Sequence, residues 1–205
     1  MRDEDLSVTA VALPEAASIR SIYASTDLAD AYAIRLPAHA STDPEQLARF
    51  VLSNQAPWVG QLMRVRDAIV GRLGIKTAQQ LQNAPDASHE GRIYIFKIYA
   101  KTAHEIVLGE DDSHLDFRLS VLHEPATAAA GNAPRLIVST VVHCHNRLGR
   151  AYIGLIAPFH RAVVQSTLRR APRGAQRLAW SCVDMNAMAR PTAQTSPTRG
   201  APWTH

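Results

Sequence analysis

Four extended segments joined by short links, followed by one long amphipathic stretch, constrain this chain more than any other feature. The segments are Arg92–Tyr99, Ala103–Leu108, Ser113–His123 and Arg135–His145. Links this short join antiparallel neighbours, because a parallel pair needs a crossover of a dozen or more residues. From Asn146 to Ala171, a good N-cap residue is followed by Leu148, Tyr152, Leu155, Phe159 and Val163 at helical spacing. That spacing predicts a C-terminal helix about 37 Å long at 1.5 Å per residue. Pro158 falls in its middle, where it removes a backbone bond and disfavours helical geometry at Ala157, so a kink or short break is expected. The expected fold class is therefore α+β: a meander of antiparallel strands closed by a long kinked helix.

The earlier part of the chain adds one strand and two helices. Residues 1–27 show no sustained period and read as a loose N-terminal arm. Asp30 to Pro37 alternates as a first strand, with Tyr32, Ile34 and Leu36 on one face and Pro37 ending it. Ser41 to Glu45 reads as a helix start in which Thr42 caps and Glu45 reaches back, with Leu47, Phe50 and Val51 as the apolar face. A second helix is expected from Pro57, with Trp58, Leu62, Val65, Ile69 and Leu73 in one stripe and Gly74 at its end. Ile75 to Glu90 reads as a loop. The ordered domain should span 28–172, and residues 173–205 read as a disordered basic tail.

Composition narrows the function classes. Of 205 residues, 46% are hydrophobic and 20% charged, enough for a packed core. The net charge of +4 comes with no compact Lys/Arg cluster interleaved with aromatics, so no nucleic-acid partner is expected. No apolar run approaches the ~20 residues of a membrane span. Met1 to Asp5 is acidic and unlike a signal peptide, so a cytoplasmic location is the expectation. The two cysteines, Cys144 and Cys182, fall in a core strand and a polar tail, which argues against a disulfide. Neither GxGxxG nor GxxxxGK[ST] occurs, nor does a nucleophile elbow or a local Cys–His signature, so no cofactor is expected and no particular reaction is indicated.

The candidate functional residues lie in the second half. Asp112, His114, Asp116 and Arg118 share one strand face, with Leu115 and Phe117 on the other. His114 beside Asp116 fits a tuned acid/base, and the same pattern fits a solvated outer face with cross-strand ion pairs. His143 and His145 project together with Cys144 opposite. They form a weak candidate metal pair that needs a third ligand from His114 or Glu105, or else they hydrogen-bond at the strand end. Arg147 and Arg150, in the first turn of the helix, oppose its dipole and call for a carboxylate or an anionic ligand. Tyr152 belongs to the apolar stripe and can aim its hydroxyl at a cavity, and His160 lies beside Pro158, where a carbonyl near Gly154 loses its donor.

The order strand, two helices, antiparallel strands and long helix resembles the helix-grip fold of the START-like (Bet v 1-like, SRPBCC) superfamily. More specifically, His114–Arg118, Ser139–Val142, Asn146–Tyr152 and Pro158–His160 are similar to a bacterial family known as domain of unknown function 2867, over roughly residues 28–172. The resemblance implies a curved antiparallel sheet that wraps the long kinked C-terminal helix, with a cavity between them. A small, partly apolar ligand there would meet Tyr152, His160, Arg150, Phe117 and Phe159. The alternatives are an enzyme of cyclase, hydratase or hydrolase type using a histidine in the same cavity, and an interaction module without a ligand.

Overall fold

The computed structural model describes residues 7–37, 40–53, 56, 58–61, 64, 91–126 and 133–188, with side chains as far as Arg170. Strands β1 (Thr9–Val11) and β2 (Leu28–Arg35) precede helix α1 (Pro44–Ser53). Strands β3 (Arg92–Ile93), β4 (Phe96–Lys101), β5 (Glu105–Asp111), β6 (Leu115–Glu124) and β7 (Arg135–Cys144) follow, and helix α2 (Arg147–Met188) ends the described chain. The seven strands form one antiparallel sheet in the order β1-β2-β7-β6-β5-β4-β3. The meander from β3 to β7 is the one expected from the short links, and β2 closes onto β7 from the other side. This α+β arrangement, a curved antiparallel sheet with a C-terminal helix on one face, is compatible with a helix grip.

The sheet's two faces follow from strict alternation. Tyr32, Ile34, Ile106, Leu108, Val121, Leu136 and Val138 point to the helix side and pack with Leu47, Ala48 and Val51 of α1 and Leu168 of α2. Nearer the start of α2, Tyr152 and Ile153 pack on Leu28, Leu115, Val142 and Cys144. Burying one such aliphatic side chain contributes about 1.5–3 kcal/mol, so these two clusters hold α2 to the sheet.

The opposite face is covered as well. Ala17 and Ile19 are buried against Val107 and Val141, and β1 pairs with β2. Residues 9–23, read as part of a loose arm, thus add an edge strand and then, from Leu13 to Tyr23, pack on the outer face of the sheet. Glu105 provides the polar anchor: its buried carboxylate accepts the Ser18 backbone N–H at 3.1 Å and the Ser120 hydroxyl at 2.5 Å.

Several local expectations are corrected. Asp43, not Thr42, caps α1, its Oδ1 accepting the Glu45 N–H at 3.1 Å, while Glu45 pairs with Arg49 and Lys101 instead of reaching back. Arg92–Tyr99 is not one run but a hairpin of β3 and β4, turned at Tyr94 with φ 54°. No Gly or Asn marks that turn; burial of Ile93 and a 2.6 Å bond from Arg92 Nη1 to the Ile95 carbonyl hold it. Residues 58–61 are helical, but Val59 is buried and Trp58 exposed, so the inward face is displaced by one residue from the expected stripe. Leu62, Val65, Ile69, Leu73, Gly74 and the 75–90 loop lie outside the described residues. Helix α2 continues through Pro158 and past Ala171 to Met188, where a tail was expected.

Candidate functional site

The sheet's helix-facing side is apolar apart from Glu110, His123 and the residues at its middle. Asp30 lies between Leu28 and Tyr32 on β2, so alternation turns its carboxylate to the same side as the core. The register sets Thr140 opposite Asp30, then Leu119, Leu108 and Ile98 in one row across β7, β6, β5 and β4. From α2, His160 presents Nε2 at 3.6 Å from Asp30 Oδ1, and Arg161 Nε lies 3.5 Å from Oδ2. His160 falls on this face because it is two turns on from Tyr152, and Val164 and Thr167 continue the line at i+4 and i+7.

These polar groups are poorly satisfied. The Asp30 side chain is only 10% exposed, and neither of its oxygens makes a hydrogen bond among the described residues. The same holds for His160 Nε2 and Thr167 Oγ1. A buried polar atom without a partner costs about 1–3 kcal/mol, so such a cluster in an otherwise apolar interface needs a reason. Around it, Phe117, Leu119, Ile156 and Val164 are only partly buried, although all face the core side. Phe117 meets Phe96 edge-on at 5.7 Å.

The sequence-predicted residues divide across this site. Tyr152, Phe117 and His160 lie on the sheet-facing side of α2 or on the sheet beneath it. Phe159 and Arg150 do not: both are exposed, Phe159 on the back of α2 with Leu155. Two apolar stripes run along α2, and the sheet takes the one through Tyr152, Ile153, Ile156 and Leu168. His160 reaches toward Asp30, not toward the carbonyl region at Gly154. Arg147 and Arg150 make no ion pair among the described residues; Asn146 does cap the helix, its Oδ1 accepting the Gly149 N–H at 3.0 Å.

The outer face carries the acid/base candidates. Asp116 and Arg118 point away from Leu115 and Phe117, as alternation requires, but Arg118 is buried and not solvated. Its guanidinium lies 3.6 Å above the Tyr99 ring and 5.8 Å from the Tyr23 ring, with Nη1 2.7 Å from Asp111 Oδ1. Tyr99 donates to Asp111 Oδ2 at 2.8 Å. Partial burial alone would raise the Asp111 carboxyl, but hydrogen bonds from Arg118 and Tyr99 hold it below the ordinary carboxylate range. Burial pushes the Tyr23 phenol up to about 12 against the opposing pull of Arg118.

His114, just before β6, sits with Nδ1 2.9 Å from the Asn146 amide nitrogen. Asp116 bonds His145 Nε2 at 3.1 Å, so His114 and Asp116 serve different partners. His143 Nδ1 lies 2.9 Å from the Ser25 carbonyl oxygen and its ring stacks on Tyr23 at 5.6 Å. Among the described residues no group of three His, Cys, Asp or Glu is placed to hold a metal, and Glu105 is engaged by Ser18 and Ser120. Burial raises the Cys144 thiol to about 11, the neighbouring Asp27 carboxylate adding to the effect.

One titration has a predictable consequence. His123 is buried, its Nδ1 has no hydrogen-bond partner among the described residues, and its ring stacks on His104 at 6.2 Å. Burial, with help from His104, holds it below the ordinary histidine value. Above that value neither the folded nor the unfolded chain is protonated here, so nothing is lost. As pH falls through about 6.5 the unfolded chain takes up a proton that the folded chain refuses, and stability declines by at most about 1.4 kcal/mol per pH unit. Urea denaturation between about pH 7.5 and 5.5, one unit either side of the ordinary value, is expected to show this decline. In His123→Leu the decline should be shallower; an unchanged slope would remove the assignment.

Sequence reasoning missed Asp30, Arg161, Thr140 and Thr167. The usable signal was at Asp30: extending the first strand back to Leu28 makes a lone carboxylate stand among Leu28, Tyr32 and Ile34 on one apolar face. Arg161 and Thr167 gave none, because their roles depend on which stripe of α2 meets the sheet.

An open antiparallel sheet closed on one side by a long helix, with a carboxylate and an imidazole facing each other between them, defines an α+β domain with a polar centre in an apolar interface. The chain belongs to the family described as Protein of unknown function (DUF2867), whose model matches residues 22–167. The match covers β2 to β7 and the part of α2 that crosses the sheet. No curated protein and no solved structure matches the chain. Among the described residues, no helix is long and apolar enough to cross a membrane.

Proposed function

We propose that the domain is a cytoplasmic binding protein of START-like, helix-grip type, and that it holds a small, partly apolar molecule between the sheet and a bend of α2 near Pro158. The observation that carries this is the Asp30–His160 pair, whose Asp30 oxygens and His160 Nε2 are buried and make no hydrogen bond among the described residues. A ligand hydroxyl or amine would donate to Asp30, and its apolar body would lie along Leu119 and Phe117 toward Tyr152.

A polar pair kept for binding is a poor contributor to stability, because the cost of burying it exceeds what a 3.6 Å contact returns. Asp30→Asn keeps the size of the side chain, and the partly exposed His160 and half-exposed Arg161 stay hydrated without their partner, so it is expected to change stability by no more than about 1 kcal/mol. A thermal-shift screen of amphiphilic alcohols and amines should find compounds that raise the wild-type midpoint and lose that effect in Asp30→Asn. No shift with any compound, together with a marked loss of stability in Asp30→Asn, would make the pair structural and remove the proposal.

A second reading is favoured by the same geometry. An imidazole facing a carboxylate is a general acid/base arrangement, so His160 is the residue to which a cyclase, hydratase or hydrolase step would be assigned. His114, bonded to Asn146 at the sheet end, does not share that site.

A further inference from the structure

The back of α2, turned away from the sheet, carries an apolar line where a solvated helix would carry polar residues. Leu155 is 54% and Phe159 46% exposed, one turn apart, and the exposed Ala151, Pro158 and Ala162 extend the same line. From Ala151 to Ala162 it runs about 16 Å.

The charge around this line is of one sign. Arg147 and Arg150 are exposed before it, and Arg169 and Arg170 are exposed after it. None of these four makes an ion pair among the described residues. From Pro125 to Val183 the sequence holds eight arginines and no aspartate or glutamate. A partner complementary to this face is acidic, and it also accepts exposed aliphatic and aromatic side chains.

A nucleic-acid backbone meets the first requirement and not the second. A bilayer with anionic headgroups meets both, and it needs no shaped groove to receive an exposed helix face. We propose that α2 docks its outer face on an anionic membrane surface. Leu155 and Phe159 enter the headgroup–acyl boundary while the flanking arginines meet lipid phosphates.

The test is sedimentation of the full chain with phosphatidylcholine vesicles that do or do not contain phosphatidylglycerol. Binding is expected only with phosphatidylglycerol, and it should fall steeply with added salt. The double variant Leu155→Glu/Phe159→Glu should weaken partitioning by about ten-fold or more, since it replaces both inserted groups by charges the surface repels. The triple variant Arg147→Gln/Arg169→Gln/Arg170→Gln should weaken it by a similar factor. Unchanged circular dichroism and melting temperature show that both variants remain folded, and if the double variant does not fold, the triple variant alone decides. Three results would overturn the proposal: no binding to either vesicle, equal binding to both, or a self-associated wild type that the double variant turns monomeric, which would make the face a contact between two copies.

Discussion

Gly149→Ala is expected to destabilise the domain by about 2–4 kcal/mol, although alanine is the better helix former by about 1 kcal/mol. Gly149 is in the first turn of α2, where the helix starts directly over the start of β6 and the end of β7. A β-carbon there would fall on the carbonyl oxygen of His114, 3.1 Å from its carbonyl carbon and 3.3 Å from Cys144 Cβ. None of these atoms can swing aside. The His114 carbonyl is itself tied, accepting the His145 N–H at 3.0 Å. The first turn of α2 would have to lift, and Tyr152 and Ile153 would leave the Leu28–Leu115–Val142 cluster with it. Gly154, on the same helix, is the control, because nothing lies within 4 Å of the β-carbon built there. Gly154→Ala should stabilise by about 0.5–1 kcal/mol. Urea denaturation of both variants gives the comparison. A Gly149→Ala protein as stable as wild type would mean that α2 does not start so close to β6.

Arg118→Ala should cost a comparable amount, about 2–4 kcal/mol, through a different mechanism. The guanidinium is stacked on Tyr99, paired with Asp111 and bonded through Nη1 to the Phe117 carbonyl at 2.8 Å. It also fills the space over Gly109, whose absent side chain leaves room for it: a β-carbon there would come within 2.9 Å of Arg118 Cδ. Truncation removes the stack and the ion pair and leaves a gap under Tyr23. Arg118→Lys should lie between, keeping the charge but losing the planar stack. Because Tyr23 belongs to the segment packed on the outer face, Arg118→Ala should also speed proteolytic cleavage before Leu28. A loss under about 0.5 kcal/mol with unchanged cleavage would show that the stack is incidental.

The strand meander and the closing helix were legible because period-two and 3.6-residue patterns are strong where one face is buried. Leu115, Phe117 and Val121 facing α2 with Asp116 and Arg118 opposite followed from alternation alone. What alternation does not reveal is what covers the second face. Ala17, Ile19 and Tyr23 have no local period, and residues of distant strands, among them Glu105, Val107, Val141 and His143, give them a place. The β3–β4 turn at Tyr94 was hidden for the same reason, being held by burial of Ile93 and not by turn residues. On α2, Leu155 and Phe159 share helical spacing with Tyr152, so spacing alone could not tell the sheet-facing stripe from the exposed one. His160 was singled out for its neighbour Pro158, but its partner, Asp30, lies 130 positions earlier, a contact that only the pairing of β2 with β7 creates.

Native mass spectrometry of the full chain purified from its own cells, wild type beside Asp30→Asn, tests the binding site most directly. The expected result is a stoichiometric small molecule on the wild type, released on denaturation, and its absence from a folded Asp30→Asn protein. The same mass for both proteins, apart from the substitution itself, would contradict a ligand anchored on Asp30.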